Sequence, residues 1–204
     1  MGVVPIELQG LESWIGCIIG LLLGLIVQGD AQEYFVHMFE AFSRRTKIEL
    51  DFNPLHHFDP LSLPAILFAG WGWSKRRVEE PAYMPPSIIA RSCIPLAGAI
   101  GSFALAGILG SFYWFWPRPL FEVAIAINIQ IALANLLIPI PPLALGRALC
   151  RAFPSLRAQQ PTLEFMGALA IAALVFLEYT GRLSLFDTWV MAPSAFITKW
   201  ILIM

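Results

Sequence analysis

The sequence predicts an all-α polytopic membrane protein with about five transmembrane helices and one re-entrant hairpin. Three observations predict it. Of the 204 residues, 58% are hydrophobic and only 13% are charged, where a soluble domain carries about 25% charge. Several apolar runs approach the roughly 20 residues that a helix needs to cross hydrocarbon, and the mean hydropathy is +0.71. The basic residues then fall mostly on one side of the resulting map, as the positive-inside rule requires.

The first apolar run is Ile15 to Val27. It follows Glu7 and Glu12 with no Lys or Arg ahead of it, whereas a secretory signal has a basic leading region and a small-residue cleavage site. The run continues through Gln28-Gly29-Asp30-Ala31-Gln32-Glu33 into Tyr34-Phe35-Val36, so a single retained helix is expected from Leu11 to Phe42. The next run, Leu61 to Trp73, has Pro64 inside it. At about 1.5 Å per residue it cannot cross about 30 Å of hydrocarbon. It fits a re-entrant element whose backbone is shielded by protein.

Ser87 to Trp116 reads as a full span. Its small-residue segments, Ala97 to Ser102 and Ala104 to Gly110, permit close helix packing. Phe112, Tyr113, Trp114, Phe115 and Trp116 precede a Pro117-Arg118-Pro119 turn and mark an interfacial belt; a lipid tail, quinone or pigment is the other occupant such rings could serve. Leu120 to Gly146 is the following span, its end broken by Pro139, Pro141 and Pro142. Leu163 to Tyr179 spans again, and Leu183 to Met204 is a last span kinked near Pro193. Lys199 can snorkel to the interface. The whole reads as one membrane domain, residues 1–204, with a core over 15–147 and a C-terminal helical pair over 162–204.

Charge tests this map. With Leu61–Trp73 re-entrant, Arg44, Arg45, Lys47, Lys75, Arg76, Arg77, Arg147, Arg151 and Arg157 share one side, and Arg118 and Arg182 keep the other. The expectation is an integral protein of a bacterial inner membrane, N-terminus outside and C-terminus cytoplasmic. A net charge of -1 gives no basic face for nucleic acid. Cys17, Cys93 and Cys150 lie far apart in or beside apolar runs and read as core residues rather than a disulfide framework.

One polar stretch stands between the apolar ones: Asn53-Pro54-Leu55-His56-His57-Phe58-Asp59-Pro60. Gly72-Trp73-Ser74-Lys75 follows it, continuing to Pro81, and Pro139-Ile140-Pro141-Pro142-Leu143 comes late in the chain. Ionisable groups near hydrocarbon are expensive and call for a reason. In this order the segments resemble the site-2 protease family of intramembrane zinc metalloproteases, in its compact bacterial branch. The resemblance runs from Ile15 to Arg147 and is weak beyond. It is carried by Asn53, Pro54, His57, Asp59 and Pro60, by Gly72, Trp73 and Lys75, and by Pro139, Pro141 and Pro142.

That resemblance implies an open zinc site: two His at i and i+4, one carboxylate, and a Glu beside the first His as general base. Here the matching positions are Gln32, Glu33, Val36 and, in the late turn, Ala144. Only the Glu remains, and it has no metal-bound water to activate. Ala99, Ser102 and Asn135 also depart from the family's pattern. A relocated site could draw on Glu33, His37, His56, His57 and Asp59, since imidazole and carboxylate suit zinc or iron. The plainer reading has His56, His57 and Asp59 hydrogen-bonding the backbone of a buried hairpin, and Glu33 as a buried proton-active group.

The expected function is therefore that of a pseudoprotease: a site-2-protease-like scaffold without zinc, acting as an accessory subunit of a larger membrane complex. Its expected partners are other integral membrane subunits and lipids; no cofactor is expected, and a lipid or hydrophobic cofactor is the ligand class such a scaffold could hold. The alternatives are a metalloprotease with a relocated metal site and a binding protein for transmembrane segments or lipids.

Overall fold

The computed structural model describes residues 10–41, 52–75 and 87–203. Arg44, Arg45, Lys47, Arg76, Arg77 and Pro81 lie outside the described residues. Helix α1 runs over Leu11–Ala41, as the continuous polar-into-apolar reading required. After it come a short α2, Pro54–His57, a 3-10 turn, Pro60–Ser62, and α3, Leu63–Ala69. Then follow α4, Ile88–Phe115, and α5, Pro119–Leu137. The chain ends with α6, Ala144–Ala152, α7, Pro154–Arg157, α8, Gln160–Tyr179, a π-helical turn, Asp187–Met191, and α9, Ala192–Ile203. Among the described residues, four helices are long and apolar enough to cross a membrane: Leu11–Met38, Ile88–Phe115, Pro119–Leu137 and Gln160–Tyr179.

The centre is a bundle of α1, α4 and α5. Gly16, Gly20 and Gly24 form one stripe on α1 and lie against Leu120, Ala124 and Asn128 of α5. A Cβ at Gly20 would stand 2.7 Å from the Cα of Ala124, so only hydrogen permits this approach. The numbers rise together along both helices, so α1 and α5 run parallel. Helix α4 must return between them, and it does: Gly98 lies against Gln28, and Gly101 against Val27. Arg118, at the α4–α5 turn, pairs with Glu12 at the start of α1 and closes that end. The carboxylate raises the pKa of the Arg118 guanidinium by hydrogen bonding and by charge.

Helix α5 is buried almost all round, from Val123 to Asn135, which explains why it is apolar on every face. One apolar core joins it to Ala65 and Trp73 of the hairpin, Leu109 of α4, Ile171 and Val175 of α8, and Val190 of the π turn. Large apolar side chains also remain exposed on the long helices, among them Trp14, Ile18, Ile100, Phe165, Leu169 and Phe176. Water would not tolerate this surface on a lone chain, whereas hydrocarbon would.

One expectation changes. The span predicted from Leu120 to Gly146 is two elements. Helix α5 closes at Leu137, with the Ile138 N–H reaching Ala134, because Pro139, Pro141 and Pro142 offer no N–H and crowd the preceding turn. The Pro141–Pro142 bond is cis, and Gly146 belongs to α6. The last segment is helical over residues 185–203, with a π-helical turn, Asp187–Met191, just ahead of Pro193. There the Ala192 N–H bonds Asp187 in a widened turn, which spares the Pro193 ring a clash with the carbonyl one regular turn back. At its far end, Ile201 lies against Gly110 near the end of α4.

Candidate functional site

The polar segments meet where the hairpin docks on the second half of α1. Asn53 caps α2, its side chain accepting from the Leu55 N–H at 3.1 Å. Asp59 caps the next turn, accepting from the Leu61 N–H at 3.0 Å. Its second oxygen accepts from the indole N–H of Trp73 at 2.8 Å. Pro54 and Pro60 open their turns at positions where no N–H is needed. Helix α3 ends on Gly70, which takes the left-handed conformation at φ 74°. The chain then returns extended. Phe58 and Ser74 form an antiparallel bridge, and the Lys75 N–H donates to the His57 carbonyl at 2.7 Å. Entry and exit of the hairpin are thus adjacent, so it leaves by the end through which it enters.

Three joints hold this hairpin to the bundle. The Gln28 side chain accepts from the Ser74 N–H at 2.6 Å, fully buried. His57 is completely buried and its Nε2 lies 3.4 Å from Asp30 Oδ1. Its ring fills the space beside Gly29, where any Cβ would overlap Nδ1. Asn135 is the third joint. Its amide donates to Ile131 at 2.8 Å and to the Gly72 carbonyl at 3.4 Å. Its oxygen accepts from the Ala144 N–H at 3.1 Å. One side chain of α5 therefore ties the hairpin and the start of α6 together. Asn128, a turn and more earlier, bonds Gly20 of α1 at 3.1 Å.

The positions of the expected zinc site are placed as follows. Gln32 reaches toward α4, its amide nitrogen 2.6 Å from where a Cβ on Gly98 would stand. Glu33 faces His37 at 3.8 Å. Val36 and Ala144 are both buried at 2% exposure, so neither is a gap that another ligand fills. The relocated set does not converge. His56 is exposed and faces Asn53 at 3.3 Å, His57 faces Asp30, and Asp59 faces Trp73. Among the described residues, no group of three His, Cys, Asp or Glu could hold a metal ion. Asp59 bonds hairpin backbone through its side chain as expected. His57 turns to Asp30 of α1, and His56 faces Asn53 of its own turn.

Sequence reasoning missed Gln28, Gly29 and Asp30 as partners of the hairpin. A Gln-Gly-Asp step interrupting an apolar helix was their signal, since polar groups there face protein rather than lipid. It also missed Glu178. This buried carboxylate accepts from the Phe186 and Asp187 N–H groups at 2.8 and 2.6 Å, capping the last helix from outside. Arg147 pairs with Glu164 at 3.3 Å, and Gln160 donates to the same oxygen at 2.7 Å. Cys150 nearby has its thiol pKa raised by burial and then by Glu164. No family model, no curated protein and no solved structure matches the chain.

Proposed function

We propose that this chain is a pseudoprotease of the membrane: a site-2-protease-like scaffold that carries no zinc chemistry and serves as a structural subunit of a larger membrane complex. The observation that carries the reading is a contrast at one junction. The positions that would bind metal are Gln32, Val36 and Ala144, while the joints around them remain built, through Gln28–Ser74, His57–Asp30 and Asn135 with Gly72 and Ala144. Those joints fix a shape. With Gln32, Val36 and Ala144 at the positions where the resemblance expects metal ligands, Glu33 would have no metal-bound water to deprotonate.

In the membrane, α1, α4, α5 and α8 cross, and the hairpin enters from the side that carries Lys75, Arg91, Arg147 and Arg151. That side is cytoplasmic by its charge, in a bacterial inner membrane. The contact of Ile201 with Gly110 supports a revision for the last helix. It favours the end of α9 lying toward the Phe115 end of α4, the end shared with Leu11, rather than on the cytoplasmic side.

The test is gentle solubilisation of native membranes, isolation of the chain by an affinity tag, and the mass, composition and metal content of what is recovered. An assembly of fixed stoichiometry without zinc is the expected result. A lone chain carrying stoichiometric zinc would overturn the proposal.

A further inference from the structure

The break between α8 and the last helix is placed by contacts at both its ends. Glu178 at its start accepts from the Phe186 and Asp187 N–H groups at its finish. The Phe186 and Trp71 rings lie 5.3 Å apart, and those of Tyr179 and Phe68 5.1 Å apart. The break therefore sits beside the hairpin. Gly72, next to Trp71, accepts from Asn135, which is sixteen residues beyond Pro119 in α5. At about 1.5 Å per residue this is roughly 24 Å from the Arg118 end of the bundle. The last helix agrees. Its Ile201 meets Gly110, five residues before the end of α4. The fourteen residues from Asp187 to Ile201 reach back about 21 Å at most. Measured from the Arg118–Glu12 pair, about 30 Å of hydrocarbon encloses the break, and α8 completes its crossing through α9.

The break is open to its surroundings. Thr180, Gly181, Arg182, Leu183, Ser184 and Leu185 are all exposed. Gly181, at φ 73°, closes α8 by donating to the Glu178 carbonyl, and the Arg182 N–H donates to that of Leu177. The N–H groups of Leu183, Ser184 and Leu185 have no hydrogen-bond partner among the described residues. The Arg182 guanidinium has no ion pair among them either. Its charge was expected at the Arg118 end, and the hairpin contacts hold it at the hairpin's depth instead.

We infer that a membrane segment of a partner subunit seats on residues 180–185 and pairs a carboxylate with Arg182. Backbone decides against lipid as the cover. A long side chain can snorkel to the interface, but three N–H groups cannot, and irregular backbone at membrane depth persists only against protein or water. Charge decides the chemistry of the partner, because a carboxylate matches a guanidinium in a bidentate pair. The inference rests on the reading of this chain as a subunit of a larger membrane complex, and it names where that complex is joined.

The test places a photocrosslinking residue at Leu183 or Ser184 of the tagged full chain, irradiates native membranes, and then isolates the chain with its partners. A crosslink to one partner subunit, at a peptide carrying Asp or Glu, is expected. Arg182→Glu should lower recovery of that subunit at least roughly tenfold, and Arg182→Lys should retain it. Arg182 is exposed, so neither substitution should move the unfolding temperature of the isolated chain in detergent. An assembly recovered with no crosslink from either position, or recovered at wild-type yield with Arg182→Glu, would overturn the inference and leave the scaffold reading standing. So would crosslinks to lipid alone, or labelling of Ser184→Cys by a water-soluble maleimide in intact membranes. A lone chain would overturn both.

Discussion

His57 shows how much one side chain can require of its surroundings. It is wholly buried, faces Asp30, and packs against the backbone of α1 only because position 29 has no Cβ. Gly29→Ala should push the ring away from its partner and cost about 1–3 kcal/mol by overpacking, read as a fall in unfolding temperature in detergent. Asp59 carries the opposite kind of load. It satisfies the Leu61 N–H and the Trp73 indole together. Asp59→Ala should leave that buried indole without its acceptor and cost about 1–3 kcal/mol, with a shift in tryptophan emission as the local readout. Cys150 is 2% exposed, and its thiol pKa is raised by burial and by Glu164. A raised pKa means less thiolate at any given pH, and thiolate is the reacting form. Labelling of Cys150 by iodoacetamide should therefore be slow in the folded chain at pH 8 and accelerate on denaturation. Of these three residues, Asp59 alone was legible in its role, because an Asx cap is a local arrangement. The partners of His57 and Cys150 are distant in sequence.

The hairpin and the Pro-rich turn are elements whose existence follows from local chemistry and whose placement does not. Pro64 and a run too short to span gave the hairpin. Its docking needed Gln28, Gly29 and Asn135, contributed by two other helices. The prolines at 139, 141 and 142 marked a break, but a span to Gly146 was expected and α5 ends at Leu137. Hydropathy does not register the break, because proline and the residues around it are apolar. Close helix contacts give a sharper test. Gly167 of α8 sits directly against the Pro141 carbonyl, where no Cβ fits. Gly167→Ala must displace α8 from the Pro-rich turn, so its unfolding temperature should fall well below that of the wild type. Gly107→Ala meets nothing within 4 Å, and by relieving a helical glycine it should leave stability unchanged or raise it by about 0.5–1 kcal/mol. Similar responses at the two sites would contradict the packing described for α8.

For the whole molecule, the α1–α4–α5 bundle is a rigid frame on which the hairpin, α6 and the last two helices are assembled. Asn135 bonds two of these parts at once, the hairpin at Gly72 and α6 at Ala144, so Asn135→Leu should loosen the hairpin and α6 together. Faster hydrogen exchange at both Gly72–Lys75 and the start of α6 would report this. Protection lost at only one of them would separate the two parts. By itself the sequence determined the solvent and the element types, because hydrocarbon demands length, apolar composition and internally satisfied backbone, all of which are sums over neighbouring residues. It also determined that the two zinc-binding histidines and the aspartate expected by resemblance are absent, since identity at a position is read directly. Only the tertiary structure decided that α1 and α5 run parallel along a glycine stripe, and that His57 turns to Asp30. It also brought the end of α9 against Gly110. Those are contacts between residues far apart in the chain, and they depend on which surfaces fit at a separation of a few ångströms, a property that no single segment carries.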